Sequence, residues 1–137
     1  MGIQSVASSF YHKKWDQVSD IVAKDVLNLL IEARPEIDEN LENSLRFVKE
    51  ENFILSFVHS SIISGKDVFK VVKSKNIAIY FTVVSYVRLS DTVPDDASIR
   101  QLTGKYKNDV LVCNATFSRI LNPLGVWKIT AINFFRQ

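Results

Sequence analysis

Apolar residues in the first third of the chain recur every three or four positions, which is the spacing of amphipathic helices. They form three successive stripes, within residues 3–11, 15–30 and 37–48. Pro35 suits the first turn of a helix, and the acidic residues after it suit the positive end of a helix dipole. The pattern therefore predicts three helices, of which the second ends before Pro35 and the third covers about 36–48.

After Asn52 the chain changes to β-branched and aromatic residues that are interrupted by short polar turns. Short turns between consecutive strands indicate an antiparallel sheet, and helices that precede such a sheet pack on one of its faces. We therefore expect one α+β domain over residues 1–137, with helices over about 2–48 and a curved antiparallel β-sheet over about 53–136. The predicted strands are Phe53–Ile63, Val68–Lys73, Ile77–Leu89, Asp109–Leu121 and Val126–Phe135.

The predicted strand 77–89 is apolar on both faces, since aliphatic and aromatic residues occupy both its odd and its even positions. One face is expected to meet the helices. The other face is expected to be covered by curvature of the sheet or by a partner. Residues 90–108 contain few apolar anchors and predict a long polar connection, of the kind that often carries function.

The size and composition of the chain limit what it can be. With 137 residues and a mass of 15.6 kDa, it can form one domain whose core needs neither disulfides nor metal. Cys113 is the single cysteine, so a disulfide framework and a cysteine zinc cluster are excluded. Lys and Arg total 17 against 15 Asp and Glu, and this net charge of +2 predicts no contact with DNA. The longest apolar runs fall far short of the roughly 20 residues that a membrane span needs.

The charges are segregated along the chain. Residues 36–52 carry two basic and six acidic residues, typical of a solvated helix face, whereas residues 53–89 carry five basic and one acidic. Four lysines cluster around a predicted hairpin, and two interpretations stay open for them: protection of an edge strand against aggregation, or contact with an anionic partner or a lipid headgroup. These candidate contact residues are Lys66, Lys70, Lys73 and Lys75.

Groups that could carry catalysis are sparse. No glycine pattern of a phosphate-binding loop is present, and His12 and His59 lie far from each other and from any cysteine. Cys113 lies in a predicted strand, as is typical of a small buried apolar residue. The carboxylates flank turns or fall within 90–108, rather than among apolar strand residues where burial would raise a pKa for acid–base work. We therefore expect no enzymatic activity, no cofactor and no metal site.

Two segments, one helical and one in the C-terminal hairpin, resemble a known family. Segment 15–27 reads WDQVSDIVAKDVL, and the hairpin has an aromatic-x-Arg strand that turns through a proline into a Trp-x-Ile strand. The matching hairpin residues are Phe117, Arg119, Pro123, Trp127 and Ile129. Both patterns are similar to the Tim44-like domain family. The helical one is most similar to the LVAKEVL helix of that family's mitochondrial matrix AAA-peptidase-interacting members.

This resemblance implies the cystatin-like cone that is also known as the nuclear-transport-factor-2-like fold. It implies a non-enzymatic adaptor in the mitochondrial matrix, peripheral to the inner membrane, and a precursor with a targeting presequence that is not present in this chain. It also implies binding to the membrane-anchored AAA protease and its client proteins. The adaptor would then assist biogenesis of inner-membrane proteins, including a regulatory subunit of the calcium uniporter.

Two alternative functions stay open. A Tim44-like membrane tether would use a basic surface to contact the mitochondrial ribosome or anionic lipid. A small cone-fold pocket enzyme, isomerase-like or dehydratase-like, would need His59 or Tyr80 to point into the cone. A passive adaptor needs only a preformed surface or a sheet edge on which a partner can dock.

Overall fold

A computed structural model describes residues 2–64, 78–121 and 124–137. The helices are α1 Gly2–His12, α2 Lys24–Ala33, α3 Glu39–Leu45 and α4 Ile99–Thr103. The strands are β1 Phe53–Ser64, β2 Ala78–Arg88, β3 Val110–Ile120 and β4 Lys128–Arg136. Single 3₁₀ turns occupy Trp15–Val18, Arg34–Glu36, Glu50–Asn52 and Lys107–Asp109. The predicted strand Val68–Lys73 lies outside the described residues.

Within the described ranges the four strands form one antiparallel sheet in the order β1-β2-β3-β4. The register places Ser85 opposite Cys113, and Cys113 opposite Phe134. The α+β class and the antiparallel sheet are confirmed. This order makes β4 an edge strand of the sheet.

One face of the sheet packs against the N-terminal helices, as the alternation of apolar residues requires. The helices contribute buried residues at helical spacing, and the strands contribute alternate positions. The helical side includes Ile3, Val6, Ala7, Phe10 and Val26, and the sheet side includes Val87, Leu111, Cys113, Ala115 and Ile129. This cluster is the main core of the domain.

The helix predicted over 15–30 is wrong in its middle. A 3₁₀ turn ends at Val18, and the chain then leaves the helical path so that Val22 forms a parallel bridge with Ile129 on β4. The Ile129 N–H donates to the Ile21 carbonyl at 2.7 Å, and the Ala23 N–H donates to the Ile129 carbonyl at 2.9 Å. Since Val18, Val22 and Val26 are all buried four residues apart, the interrupted segment still carries the spacing of a continuous helix.

The third helix is shorter than predicted at both ends. Pro35 lies in the 3₁₀ turn, and Asp38 caps α3, with its Oδ1 accepting from the Leu41 N–H at 2.6 Å. The helix ends at Leu45, because the N–H groups of Arg46, Phe47 and Val48 donate to the carbonyls three residues before them instead of four.

The second face of the sheet is covered in part by the connection between β2 and β3. The expectation that residues 90–108 have few apolar anchors is wrong, because Val93, Ala97 and Leu102 are buried against Tyr86, Val110 and Val112. The anchors escape detection because they are small or widely spaced. Ser98 and Gln101 form a capping box at the start of α4, which places Leu102 over the sheet.

Candidate functional site

An open groove lies between α2, α3 and the edge strand β4. Its volume is about 350 Å³, within the range of ligand-binding clefts. Residues 130–134 of β4 form its strand side. The helical side includes Val26, Leu29, Leu30, Ala33, Ile37 and Leu41.

The helical wall of the groove follows from the sequence of α2. Val26, Leu29, Leu30 and Ala33 are three or four residues apart, so they share one face of the helix. Val26 reaches the core and is buried, whereas Leu29 is 63% exposed. The apolar face of α2 is therefore wider than the core it covers, and its outer part forms the groove.

The polar content of the groove is low. Among the described residues that line it, the polar ones are Thr130 and Asn133, and none is an acid, a base or a thiol. Such a surface can bind apolar groups.

The outer edge of β4 forms the rim of the groove and is only partly paired. Ile129 directs both its N–H and its C=O outward, to the segment 21–23. β3 pairs Phe117 with Ile129 and Ala115 with Ile132, and a bulge in the pairing lies between these two pairs. Because Phe117 and Ala115 are two residues apart on β3, their partners on β4 have the same orientation, so Ile132 also directs its N–H and C=O outward. In the described part of the chain, no other segment bridges β4 on this side.

A buried arginine fixes the helical wall. The guanidinium of Arg34, which is 7% exposed, donates from Nε to the Phe10 carbonyl at 2.8 Å and from Nη2 to the Tyr11 carbonyl at 3.1 Å. Nη2 also bonds the Glu42 carboxylate at 2.8 Å. Because Arg34 lies between α2 and α3, these bonds tie both helices to the C-terminal end of α1.

None of the sequence-predicted site residues that the structure describes lines this groove. Lys66, Lys70, Lys73 and Lys75 lie outside the described residues. His59 is exposed at a bulge of β1. The remaining candidates also lie elsewhere: Tyr80 is opposite Ile62, and His12 is exposed at the end of α1 with its ring edge-on to Tyr11.

Cys113 is fully buried in β3, in agreement with its prediction as a small core residue. Burial raises the pKa of the Cys113 thiol from 9.0 to about 12, because the thiolate would lose its hydration. A nucleophilic cysteine needs the opposite shift.

The C-terminal hairpin brings its predicted motif residues together. Phe117 lies opposite Ile129, and Arg119 Nε donates to the Gly125 carbonyl at 2.8 Å. The Arg119 guanidinium also lies 5.9 Å from the centre of the Trp127 ring, whose other neighbour is the Phe81 ring at 5.7 Å. The motif therefore holds the hairpin end of the sheet in place. Pro123 lies outside the described residues.

The groove residues were missed because the second apolar stripe was interpreted entirely as core. A signal was present in the run Val-Leu-Asn-Leu-Leu-Ile at 26–31, where five of six residues are apolar. A single short helix in a small domain needs a narrower apolar face than this to cover the core.

The described ranges contain no cluster of three or more His, Cys, Asp or Glu side chains that could hold a metal ion. None of the described helices is both long and apolar enough to cross a membrane. Comparison with protein-family models, with curated proteins and with solved structures finds no match for this chain.

Proposed function

We propose that the protein is a non-enzymatic binding domain whose site is the groove between α2, α3 and β4. The observation that carries this proposal is the combination of an open apolar groove with an incompletely paired strand edge at its rim. Apolar side chains of a partner gain free energy by leaving water, and a strand edge supplies directional hydrogen bonds. The absence of an acid, base or thiol among the described lining residues supports binding over catalysis.

The resemblance to the Tim44-like family supports a more specific proposal. The domain is a cystatin-like cone that acts as an adaptor in the mitochondrial matrix, where it docks the membrane-anchored AAA protease and its clients, including the calcium-uniporter subunit. The contacts of Phe117, Arg119, Trp127 and Ile129 with one another and with the hairpin backbone are compatible with that assignment.

A preformed site suits an adaptor, because less conformational entropy is lost when a partner binds. Arg34 holds α1, α2 and α3 together through three hydrogen bonds, so the helical wall is organised before binding. The pocket-enzyme alternative requires His59 or Tyr80 to point into the cone, and neither residue lines the groove proposed as the binding site.

Site-specific photo-crosslinking tests the proposed function. A benzophenone amino acid replaces Leu29 in the groove of the tagged full-length protein. The matched control is Val58, which is similarly exposed on β1, 58% against 63%. After crosslinking in gently solubilised mitochondria, we expect the AAA protease to be enriched several-fold at position 29 over position 58.

Two other results would revise the proposal. Equal crosslinking at both positions would contradict binding at the groove. Enrichment of a different protein at position 29 would keep the binding function and contradict the choice of the protease.

One observation favours peripheral membrane contact as a second function. Leu124 and Val126 are 66% and 68% exposed beside Trp127, and exposed aliphatic and indole side chains suit a membrane interface. Flotation with vesicles that contain anionic lipid tests this contact. Double substitution of Leu124 and Val126 by Ser is expected to abolish it. Retained flotation would contradict it.

A further inference from the structure

We infer that the groove takes an extended, basic segment of a partner protein, which adds to the edge of β4 as a further strand. This inference rests on the proposed binding function and specifies the chemistry of the occupant. Three features support it: the incompletely paired edge of β4, the position of the groove relative to that edge, and the charge of the helical wall.

The outer edge of β4 has backbone groups that can pair with a further strand. Ile129 already accepts one hydrogen bond from the segment 21–23 and donates one to it. That segment runs parallel to β4 at this point. Soluble proteins protect a free edge with charged side chains or proline. β4 carries a charged residue at each end, Lys128 and Arg136, but the seven residues between them read ITAINFF and contain neither. The stretch beyond Ile129 therefore presents pairing groups without the usual protection.

The groove lies where the side chains of an added strand would point. A strand that continues the sheet beyond β4 directs alternate side chains to the helix-covered face. On that face Ile132 and Phe134 belong to β4, and Leu29 and Leu30 form the opposing wall. Alternate aliphatic residues of the occupant would fill the 350 Å³ space, and the residues between them would face solvent.

The helical wall selects the charge of the occupant. Residues 24–45, which contain α2 and α3, carry six acidic and two basic residues. One of the two basic residues, Arg34, is buried and pairs with Glu42. Glu32 and Glu36 are exposed and each precedes a groove residue, Ala33 and Ile37. These carboxylates lie on the helices, whereas the residues between the aliphatic ones of the occupant face solvent, so the carboxylates favour lysine or arginine on the occupant through their summed field rather than by direct contact.

Peptide binding to the full-length protein tests the inference. The probe is a fluorescent nine-residue peptide, the length of β4, in which lysine alternates with valine. Three comparison peptides replace lysine by glutamate, N-methylate the lysine amides, or N-methylate the valine amides. Fluorescence anisotropy at about 50 mM and about 300 mM salt measures the affinity and its electrostatic part.

The expected result has three parts. The glutamate peptide binds about tenfold more weakly or not at all, and added salt weakens the lysine peptide. One of the two methylated peptides loses about tenfold in affinity and the other does not, because only one set of amides faces β4. Leu29→Lys weakens binding about tenfold, whereas Ile31→Lys, which adds the same charge to the same helix outside the groove, has little effect.

Other outcomes would overturn the inference. Equal affinity of both methylated peptides with the parent would exclude strand addition, and equal affinity of the glutamate peptide would exclude selection for basic segments. Stronger binding of a basic amphipathic helical peptide would assign the groove to a helix. A dimer in light scattering that dissociates on Leu29→Lys would assign the edge to a second copy. In each case the Leu29 crosslinking result would still decide the proposed binding function separately.

Discussion

Arg34 and Phe10 are 24 residues apart in sequence, and the Arg34 Nε donates to the Phe10 carbonyl at 2.8 Å inside the protein. The same guanidinium lies 5.7 Å from the centre of the Phe10 ring. A helix leaves its last carbonyls without partners, and here a side chain from the α2–α3 turn supplies the missing donors. One buried charged residue thus joins three helices and fixes the wall of the groove.

Arg34→Lys is expected to destabilise the protein by about 2 kcal/mol, although the charge is kept. An ammonium cannot reproduce the fork that reaches two carbonyls and a carboxylate, so buried acceptors lose their donors. Glu42→Gln is the matched control and should cost less than about 1 kcal/mol, because the Glu42 side chain is 38% exposed. Urea denaturation measures both values. Equal losses in the two variants would contradict the clamp role of Arg34.

Leu102→Ala is expected to cost about 3 kcal/mol, which is the range for a fully buried leucine. Leu102 packs with Val93 and Ala97 over the second face of the sheet. Ile99→Ala on the same helix removes a half-exposed side chain and should change the free energy of unfolding by less than about 0.5 kcal/mol. A small loss in Leu102→Ala would indicate that the β2–β3 connection does not stabilise the sheet.

The burial of Cys113 makes the free energy of unfolding depend on pH in the alkaline range. Its pKa is about 12 in the folded protein against 9.0 ordinarily, so between these values the unfolded chain releases a proton that the folded protein keeps. Stability is unaffected below pH about 9 and falls as pH rises through this window, by at most about 1.4 kcal/mol per pH unit. Cys113→Ala should show a flatter decline than the parent in urea denaturation at pH about 8 to 10. Parallel curves would contradict the burial of the thiol.

Arg119→Met should loosen the β3–β4 hairpin. The variant keeps the apolar stem over Trp127 but loses the hydrogen bond to the Gly125 carbonyl, which is worth about 1 kcal/mol. In a Trp15→Phe background, the emission of Trp127 should shift to longer wavelength and its quenching by acrylamide should rise. Lys128→Met, which removes a neighbouring charge instead, is the control. An unchanged Trp127 signal in Arg119→Met would show that the arginine does not order this hairpin.

The strands were largely predictable from the sequence, and the groove was not. β1 starts at Phe53 as predicted, and β2, β3 and β4 lie within one or two residues of the predicted bounds where the chain is described. Alternation with period two leaves little freedom for a half-buried strand, so its position is a local property. The groove depends on how far α2 extends beyond the core beneath it, which is a relation between elements distant in sequence.

The three apolar stripes, the antiparallel pairing of neighbouring strands and the burial of Cys113 are consequences of local spacing and polarity, and the sequence by itself determined them. The tertiary structure decided where the stripes stop being helix. Around Val22 the hydrogen bonds offered by Ile129 on β4 replace those of a helical turn. The tertiary structure also decided that residues 90–108 cover part of the second face of the sheet, and that Arg34 supplies donors at the end of α1. These outcomes depend on partners brought together only by folding, because the hydrogen-bonding groups that compete for each backbone segment lie tens of residues away in the chain.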